Sequence, residues 1–353
     1  MFIVGQALFE TGMANKIGSL VTRFAKTERQ CIIAVMLITG LMSGFLSNTG
    51  TAAVLIPVVI GIAASSDFSR GKLLMPLVFA AAPGNLIGTN ALNELGIETG
   101  FFEYIGVGLS MLVFGILYFA VFGYKLLPDN KDLVSADDDQ FAAKDFSGVP
   151  VWKQTASLVI LILSILAMIF EKQIGVKLHV SASVGAIILI LTGVISEKEA
   201  LRSIDLKTVF LFGGSLALAS ALETTGAGTL VADAIIHALG DTPSPFLLLL
   251  VIWIVTCALT NFMSNTATTA LMVPIAVALA QGVGADPRAV VVATVIAGSC
   301  AYATPIGMPA NTMVVGIGGY SFRDYVKAGL PLIGVSFVIC MVLLPILFPF
   351  FPG

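Results

Sequence analysis

Apolar residues run along this chain in long blocks, near 2–13, 31–64, 73–97, 104–124, 154–170, 180–195, 208–222, 246–280, 288–317 and 328–351. A helix needs about 20 such residues to cross a bilayer. The pattern therefore predicts an all-α polytopic membrane protein. Between 125 and 153 the chain turns polar, with Asp129, Asp132, Asp137, Asp138, Asp139, Asp145, Lys131 and Lys144. That reads as a solvated linker over 129–150, dividing a first repeat (1–128) from a second (151–353).

Basic residues set the sidedness. Arg23, Lys26 and Arg29 precede block 31–64, and Arg70 and Lys72 follow it. The positive-inside rule puts both groups in the cytoplasm. Block 31–64 must then enter and leave on one side. Its 34 residues cannot cross a core of about 30 Å twice and turn, at about 1.5 Å per residue. It is expected to be a re-entrant helical hairpin. Block 246–280 is flanked by a single basic residue, Arg288, beside Asp241 and Asp286, and is expected to be a hairpin entering from outside. With both blocks re-entrant, 15 of the 18 Lys and Arg fall inside. Blocks 73–97 and 288–317 each carry a Pro- and Gly-rich interruption, "AAAPGNLIGTNALN" (80–93) and "CAYATPIGMPANTM" (300–313), and are expected to be broken transmembrane helices lining a cavity.

The two halves repeat. Residues 44–63, "GFLSNTGTAAVLIPVVIGIA", match 261–280, "NFMSNTATTALMVPIAVALA", at 8 of 20 positions, an offset of 217 residues. "ALFETGMA" (7–14) echoes "ALETTGAG" (221–228), and "EYIGVGL" (103–109) echoes "DYVKAGL" (324–330). The opposed hairpins make these inverted repeats, an architecture of secondary transporters with a midplane site. The second half has two spans before its "ALETTG" segment and the first has none. The first repeat is thus expected to lack about three N-terminal helices.

Each hairpin tip is polar, and hydrocarbon penalises unpaired polar groups. A helix ending inside the membrane offers free carbonyls, which suit a cation; the helix leaving the tip offers free N–H groups, which suit an anion. Ser, Asn and Thr cap such ends, and their oxygens can ligate Na⁺. Ser43 and Thr260 lie one turn before Ser47 and Ser264 and are candidate cation ligands. Neither hairpin contains Asp, Glu, Lys or Arg between 31 and 64 or 246 and 280. Charge must be held there by dipoles and neutral oxygens, and an anion is costly to desolvate unless cations accompany it. That mutual requirement is a physical basis for symport.

Composition narrows the alternatives. The chain is 57% hydrophobic and 11% charged with net charge -3, against roughly 25% charged residues in a soluble domain. No basic block suggests nucleic acid. The four cysteines form no disulfide or zinc pattern, and two histidines cannot build a metal site alone. No P-loop signature occurs. An intramembrane protease would need paired Asp or a Ser–His dyad at membrane depth. A channel with a dipole-lined filter stays open as a reading. Residues 15–26, "NKIGSLVTRFAK", have the spacing of an interfacial amphipathic helix. Glu10 and Glu223 lie near span ends, where interfacial solvation or capping is favoured over a proton relay.

Paired SNT tips, each followed by a segment approaching G-T-P-P-N, resemble the divalent anion:sodium symporter family of di- and tricarboxylate transporters. The resemblance covers nearly the whole chain. It implies sodium-coupled symport of a di- or tricarboxylate, not enzymatic catalysis, by an elevator motion of homodimers in a membrane, expected to be a prokaryotic cytoplasmic one. It implies substrate contacts at Ser47, Asn48, Thr49, Thr89, Ser264, Asn265, Thr266 and Pro309. It implies one Na⁺ site at Ser43, Ser47, Asn48 and Gly88, and another at Thr260, Ser264, Asn265, Gly307 and Asn311. The chain departs from the motif at Asn90 and Leu92 in the first loop and at Met308 in the second. The lost hydroxyl at Met308 bears on which anion is carried. A sulfate- or arsenite-type oxyanion permease is the alternative, or a Na⁺/H⁺ antiporter on a related fold, although the antiporter needs a titrating midplane group.

Overall fold

The computed structural model describes residues 2–13, 25–44, 48–66, 68–82, 105–130, 148–176, 178–204 and 243–351, with Lys16, Phe146 and scattered positions between 206 and 240. The described residues contain helices and irregular segments and no strand. The helices that matter here are α1 (Phe2–Glu10), α2 (Glu28–Ser43), α3 (Asn48–Ser66), α4 (Arg70–Ala80), α5 (Ile105–Val121), α6 (Val151–Ile169), α7 (Leu178–Leu191), α8 (Glu197–Arg202), α9 (Pro245–Thr260), α10 (Asn265–Gly282), α11 (Arg288–Ser299), α12 (Pro309–Gly318) and α13 (Phe322–Leu347). Most of 15–26, and all of 83–104, lie outside the described residues, so the expected amphipathic helix and the second part of the first broken helix do too.

The chain forms two compact units that are discontinuous in sequence. One comprises Met1–Gly84, Ile116–Asp205 and Met313–Tyr320; the other comprises Asn85–Gly115, Leu206–Thr312 and Ser321–Gly353. In the first unit α1, α6, α7 and α8 share a core of Val4, Ala7, Leu8, Leu161, Leu189, Val194, Ile195 and Ala200. The Thr11 hydroxyl pairs with Ser157 at 2.9 Å inside that core. α1 then stops at Gly12, whose φ of 74° is open to glycine at little cost. A side chain there would also run into the Phe146 ring.

α2, α3 and α4 pack on one another in the same unit. α2 starts at a capping box, in which Thr27 accepts from the Gln30 amide while Gln30 accepts from the Thr27 amide. Lys72 ties this end together, reaching Glu28 at 3.3 Å and Asp129 at 2.6 Å. Arg29 stacks on Tyr124 at 4.4 Å. Residues 45–47, the expected first tip, lie outside the described residues.

In the second unit α9, α10, α11 and α13 pack together. α9 has 16 residues, about 24 Å of helix, short of a bilayer core of about 30 Å. Ser244 caps α9, with Pro245 in its first turn. Pro57 lies inside α3 and Pro274 inside α10, again 217 residues apart. Between α11 and α12 the chain is non-helical from 300 to 308. By length and composition, α13 alone among the described helices suffices to cross a bilayer unaided.

Candidate ion and substrate site

The second hairpin brings its polar residues to one buried point. α9 ends at Thr260, and Ser264 caps α10 by accepting from the Ala267 amide at 3.2 Å. The Thr260 hydroxyl is fully buried and lies 3.0 Å from Asn265 Oδ1 while also donating to the Gly298 carbonyl at the end of α11. A hydroxyl has one proton. The end of the Asn265 amide that faces this hydroxyl and carbonyl is best taken as Nδ2, which then donates toward Thr260 Oγ1 at 3.0 Å and the Gly298 carbonyl at 3.2 Å, so these oxygens are matched. The Gly307 carbonyl lies 3.2 Å from the same end of the Asn265 amide.

The first hairpin has the same construction. The Ser43 hydroxyl lies 2.6 Å from Asn48 Oδ1 and 2.6 Å from the Ala81 carbonyl. Ser43, Asn48 and Ala81 stand 217 residues before Thr260, Asn265 and Gly298. The repeat thus extends to hydrogen-bond partners, including carbonyls that carry no side-chain signal. It extends further. Thr39 and Thr256 are buried hydroxyls with no hydrogen-bond partner, and so are Thr51 and Thr268, each pair at the same offset. Thr11, Thr192 and Thr294 instead bond back to the carbonyl four residues earlier. Thr39 and Thr256 lie one turn before Ser43 and Thr260, and Thr51 and Thr268 lie three residues after the asparagines. Helical spacing puts them on the faces that carry the oxygen clusters.

The unwound segment 300–308 is pinned against the hairpin by residues that sequence reasoning passed over. Asn261 donates to the Cys257 carbonyl at 2.8 Å and the Cys300 carbonyl at 3.3 Å, and accepts from the Ala303 amide at 2.9 Å. The Thr304 hydroxyl donates to the Asn261 carbonyl and accepts from the Gly307 amide at 3.2 Å. Asn311 donates to the carbonyls of Ala301 at 2.6 Å and Thr304 at 3.0 Å, while its Oδ1 is buried without a partner. Tyr325 closes the set by donating to the Asn311 carbonyl at 2.8 Å. Gly307 is required by proximity: a Cβ there would lie 2.6 Å from the Thr260 carbonyl oxygen.

The structure therefore joins Thr260, Asn265 and Gly307 directly. Ser264 is the cap of α10. Asn311 sits one step away, holding the loop. Thr266 is half-buried, while Thr49 and Pro309 are exposed. Ser47, Gly88 and Thr89 lie outside the described residues. Clusters of neutral oxygens suit a hard cation, and in the first hairpin the Ser43 hydroxyl has one proton for two acceptors, Asn48 Oδ1 and the Ala81 carbonyl, so the residues present there fit Na⁺. No group of three His, Cys, Asp or Glu that could hold a metal occurs among the described residues.

Comparison with known proteins identifies the family. Residues 1–297 match the family described as CitMHS, citrate transporter. An uncharacterized transporter of Haemophilus influenzae is 29% identical over 84% of this chain and 68% of its own length. YfbS, an uncharacterized transporter of Escherichia coli, is 36% identical over 44% of this chain and 25% of its own length. The sodium-dependent dicarboxylate transporter SdcS of Staphylococcus saprophyticus is 23% identical over 99% of this chain and 75% of its own length. Among solved structures, the YdaH transporter of Alcanivorax borkumensis superposes with a TM-score of 0.66 over 99% of this chain and 85% of its own, at 16% identity, which establishes likeness of fold.

Proposed function

Given that this chain belongs to the CitMHS citrate transporter family, we propose that it works as a sodium-coupled symporter of a di- or tricarboxylate. One observation carries the reading. Each hairpin gathers a hydroxyl, an asparagine amide and a backbone carbonyl at matched positions, Ser43, Asn48 and Ala81 and again Thr260, Asn265 and Gly298. Na⁺ would bind among the oxygens of these clusters. In the first cluster Ser43 and Asn48 would hold it, with Ser47 and Gly88 as further ligands. In the second, Thr260, Asn265 and the Gly307 carbonyl would hold it, with Ser264 and Asn311 close by.

The anion would be met by the start of each exit helix. α3 is described from Asn48 and α10 begins at Asn265, so the N-terminal N–H groups and positive dipole end of each exit helix would face the anion. Thr49 and Thr266 stand in these first turns and would join Ser47, Thr89, Ser264 and Pro309 as the substrate contacts. Neither hairpin sequence, 31–64 or 246–280, carries an acidic or basic side chain. Binding of a carboxylate next to a filled cation site is favourable, and next to an empty one it is costly. That dependence couples the two solutes. An elevator motion of a homodimer would carry them across together.

The name of SdcS, a sodium-dependent dicarboxylate transporter, supports the same reading. The test is uptake of labelled succinate and of citrate by proteoliposomes, driven by a Na⁺ gradient and compared with choline. Uptake that requires Na⁺ and is lost in Asn48→Ala and Asn265→Ala is expected. Uptake indifferent to Na⁺ and to both replacements would overturn the proposal.

A further inference from the structure

Gly334 lies inside α13, where neither packing nor backbone geometry asks for a glycine. It is not among the glycines of positive φ, and a Cβ added to it meets nothing within 4 Å. Gly329 in the same helix is the contrast, since a Cβ there would lie 2.1 Å from the Tyr302 carbonyl oxygen. Glycine is a poor helix former, so what the missing side chain leaves at Gly334 is space. That space belongs to a cleft of about 570 Å³ between α9, α13 and the unwound segment, a size typical of ligand pockets, about 300–1,000 Å³. Ile254 and Phe262 of α9 and Phe322 and Leu330 of α13 line it and are also exposed, so the cleft is continuous with the outward apolar faces of both helices. Trp253 and Phe337 meet at the end farthest from the start of α13, ring centroids 5.1 Å apart. The floor holds Asn261, Ala303 and Thr304, the residues whose hydrogen bonds pin the unwound segment to the hairpin.

We propose that this cleft binds an anionic phospholipid, which lays one acyl chain along α13 and sets its phosphate against Arg323 and Lys327. Three features favour that occupant. The lining of α13 runs from Phe322 to Phe337, about 22 Å of helix, which spans one leaflet of a hydrocarbon core about 30 Å thick. α13 is the described helix long and apolar enough to cross that core. The charge is at the right end: Arg323 and Lys327 are exposed in the first turns of α13, and their spacing to Leu330 and Gly334 puts all four on one helix face. Asp324, between them, is engaged at the cap, where it accepts from the Ser321 amide at 2.9 Å and hydroxyl at 2.6 Å. A chain seated in the cleft covers Asn261 and Thr304 and braces segment 300–308 against the hairpin. The lipid is thus a resident ligand, separate from any transported anion, and its binding does not depend on the coupling ion.

The test is native mass spectrometry and thermal unfolding of the purified full chain in detergent, with phosphatidylglycerol or phosphatidylcholine of the same acyl chains. Wild-type protein is expected to retain phosphatidylglycerol and to melt higher with it, while phosphatidylcholine needs about tenfold more lipid for the same shift. Gly334→Phe fills the cleft from an open position, so it should keep the lipid-free midpoint and lose both responses. Gly61→Phe, at an equally open glycine of α3, should keep both. Arg323→Gln combined with Lys327→Gln should keep the response to phosphatidylcholine and lose the preference for phosphatidylglycerol. Undiminished phosphatidylglycerol binding by Gly334→Phe, or a preference that survives loss of both charges, would overturn the proposal. So would a Gly334→Phe protein that melts well below wild type, because part of this chain would then already fill the cleft. A Gly334→Phe protein that retains lipid but changes from dimer to monomer would give the cleft to a second copy and overturn it too.

Discussion

Thr260 Oγ1 lies 3.0 Å from Asn265 Oδ1, and 217 residues earlier Ser43 Oγ lies 2.6 Å from Asn48 Oδ1. In both pairs the hydroxyl also reaches a carbonyl 38 residues on. On the sodium-coupled reading, removing the hydroxyl takes away a cation ligand, and a buried carbonyl loses a donor. Thr260→Val and Ser43→Ala should each weaken Na⁺ binding by about 1–2 kcal/mol, roughly tenfold in the concentration that half-stabilises the protein. Na⁺ titrations of thermal unfolding measure this directly. Unchanged midpoints in both variants would show that these hydroxyls are not ligands.

Gly307 fits where no other residue does. An added Cβ would stand 2.6 Å from the Thr260 carbonyl oxygen, 2.9 Å from Ala301 Cβ and 3.2 Å from Asn261 Cα. Two of these are backbone atoms that cannot swing aside. Gly307→Ala should destabilise by about 1–3 kcal/mol and weaken Na⁺ binding, because the hairpin and the unwound segment must part. Gly61→Ala is the contrast. A Cβ there meets nothing within 4 Å, inside α3, and alanine is the better helix former by about 1 kcal/mol. Its melting temperature should hold or rise. Equal losses in the two variants would contradict the packing described.

Much of this site was legible because side chains in a hydrocarbon setting announce themselves. Ser43, Asn48, Thr260 and Asn265 are polar where nothing polar is needed for packing, and their repetition singled them out. The carbonyls of Ala81 and Gly298 were not legible, since any residue supplies a carbonyl. Asn261 was missed because its counterpart in the repeat is Gly44, which carries no side chain. Thr304 was missed because its hydroxyl acts on backbone across 43 residues, a distance that only the fold spans. The break at 300–308 was readable from Pro305, Gly307 and Pro309, which resist helix. The division into two discontinuous units was not, because it depends on which helices pack together and not on where polarity rises along the chain.

Outside the apolar segments, Asp286 and Arg288 form a fork, with Arg288 Nη2 2.7 Å and Nε 3.0 Å from Asp286 Oδ2. The Asp286 amide also donates to the Phe350 carbonyl at 2.8 Å. Burial raises the Asp286 carboxyl, but hydrogen bonds and charge from Arg288 outweigh it and hold the group below its ordinary value of 3.8. A depressed value in the folded protein stabilises above the unfolded value and is lost as pH falls through the folded one. Asp286→Asn should therefore melt below wild type by a constant margin from about pH 8 to about pH 5, and the margin should close below about pH 4. A margin that widens on acidification would refute the assignment.

Tyr320 places its hydroxyl inside the backbone ladder of α4. It accepts from the Met75 amide at 2.8 Å and donates to the Gly71 carbonyl at 2.8 Å. These are the two groups that an uninterrupted helix would pair directly. Pro76 follows at once and has no N–H to offer the next carbonyl. A hydroxyl bridge at this point keeps a weakened turn satisfied, and Tyr320 is only 6% exposed, so water is a poor substitute. Tyr320→Phe keeps the ring and removes the bridge. It should cost about 1–3 kcal/mol and lower the melting temperature by a few degrees. The Met75 amide should exchange with deuterium faster than its neighbours in α4. The Na⁺ midpoint should stay at the wild-type value, because Asn265 and Thr260 are untouched. Protection of Met75 that survives the substitution would mean that the helix closes its own ladder and the hydroxyl is dispensable.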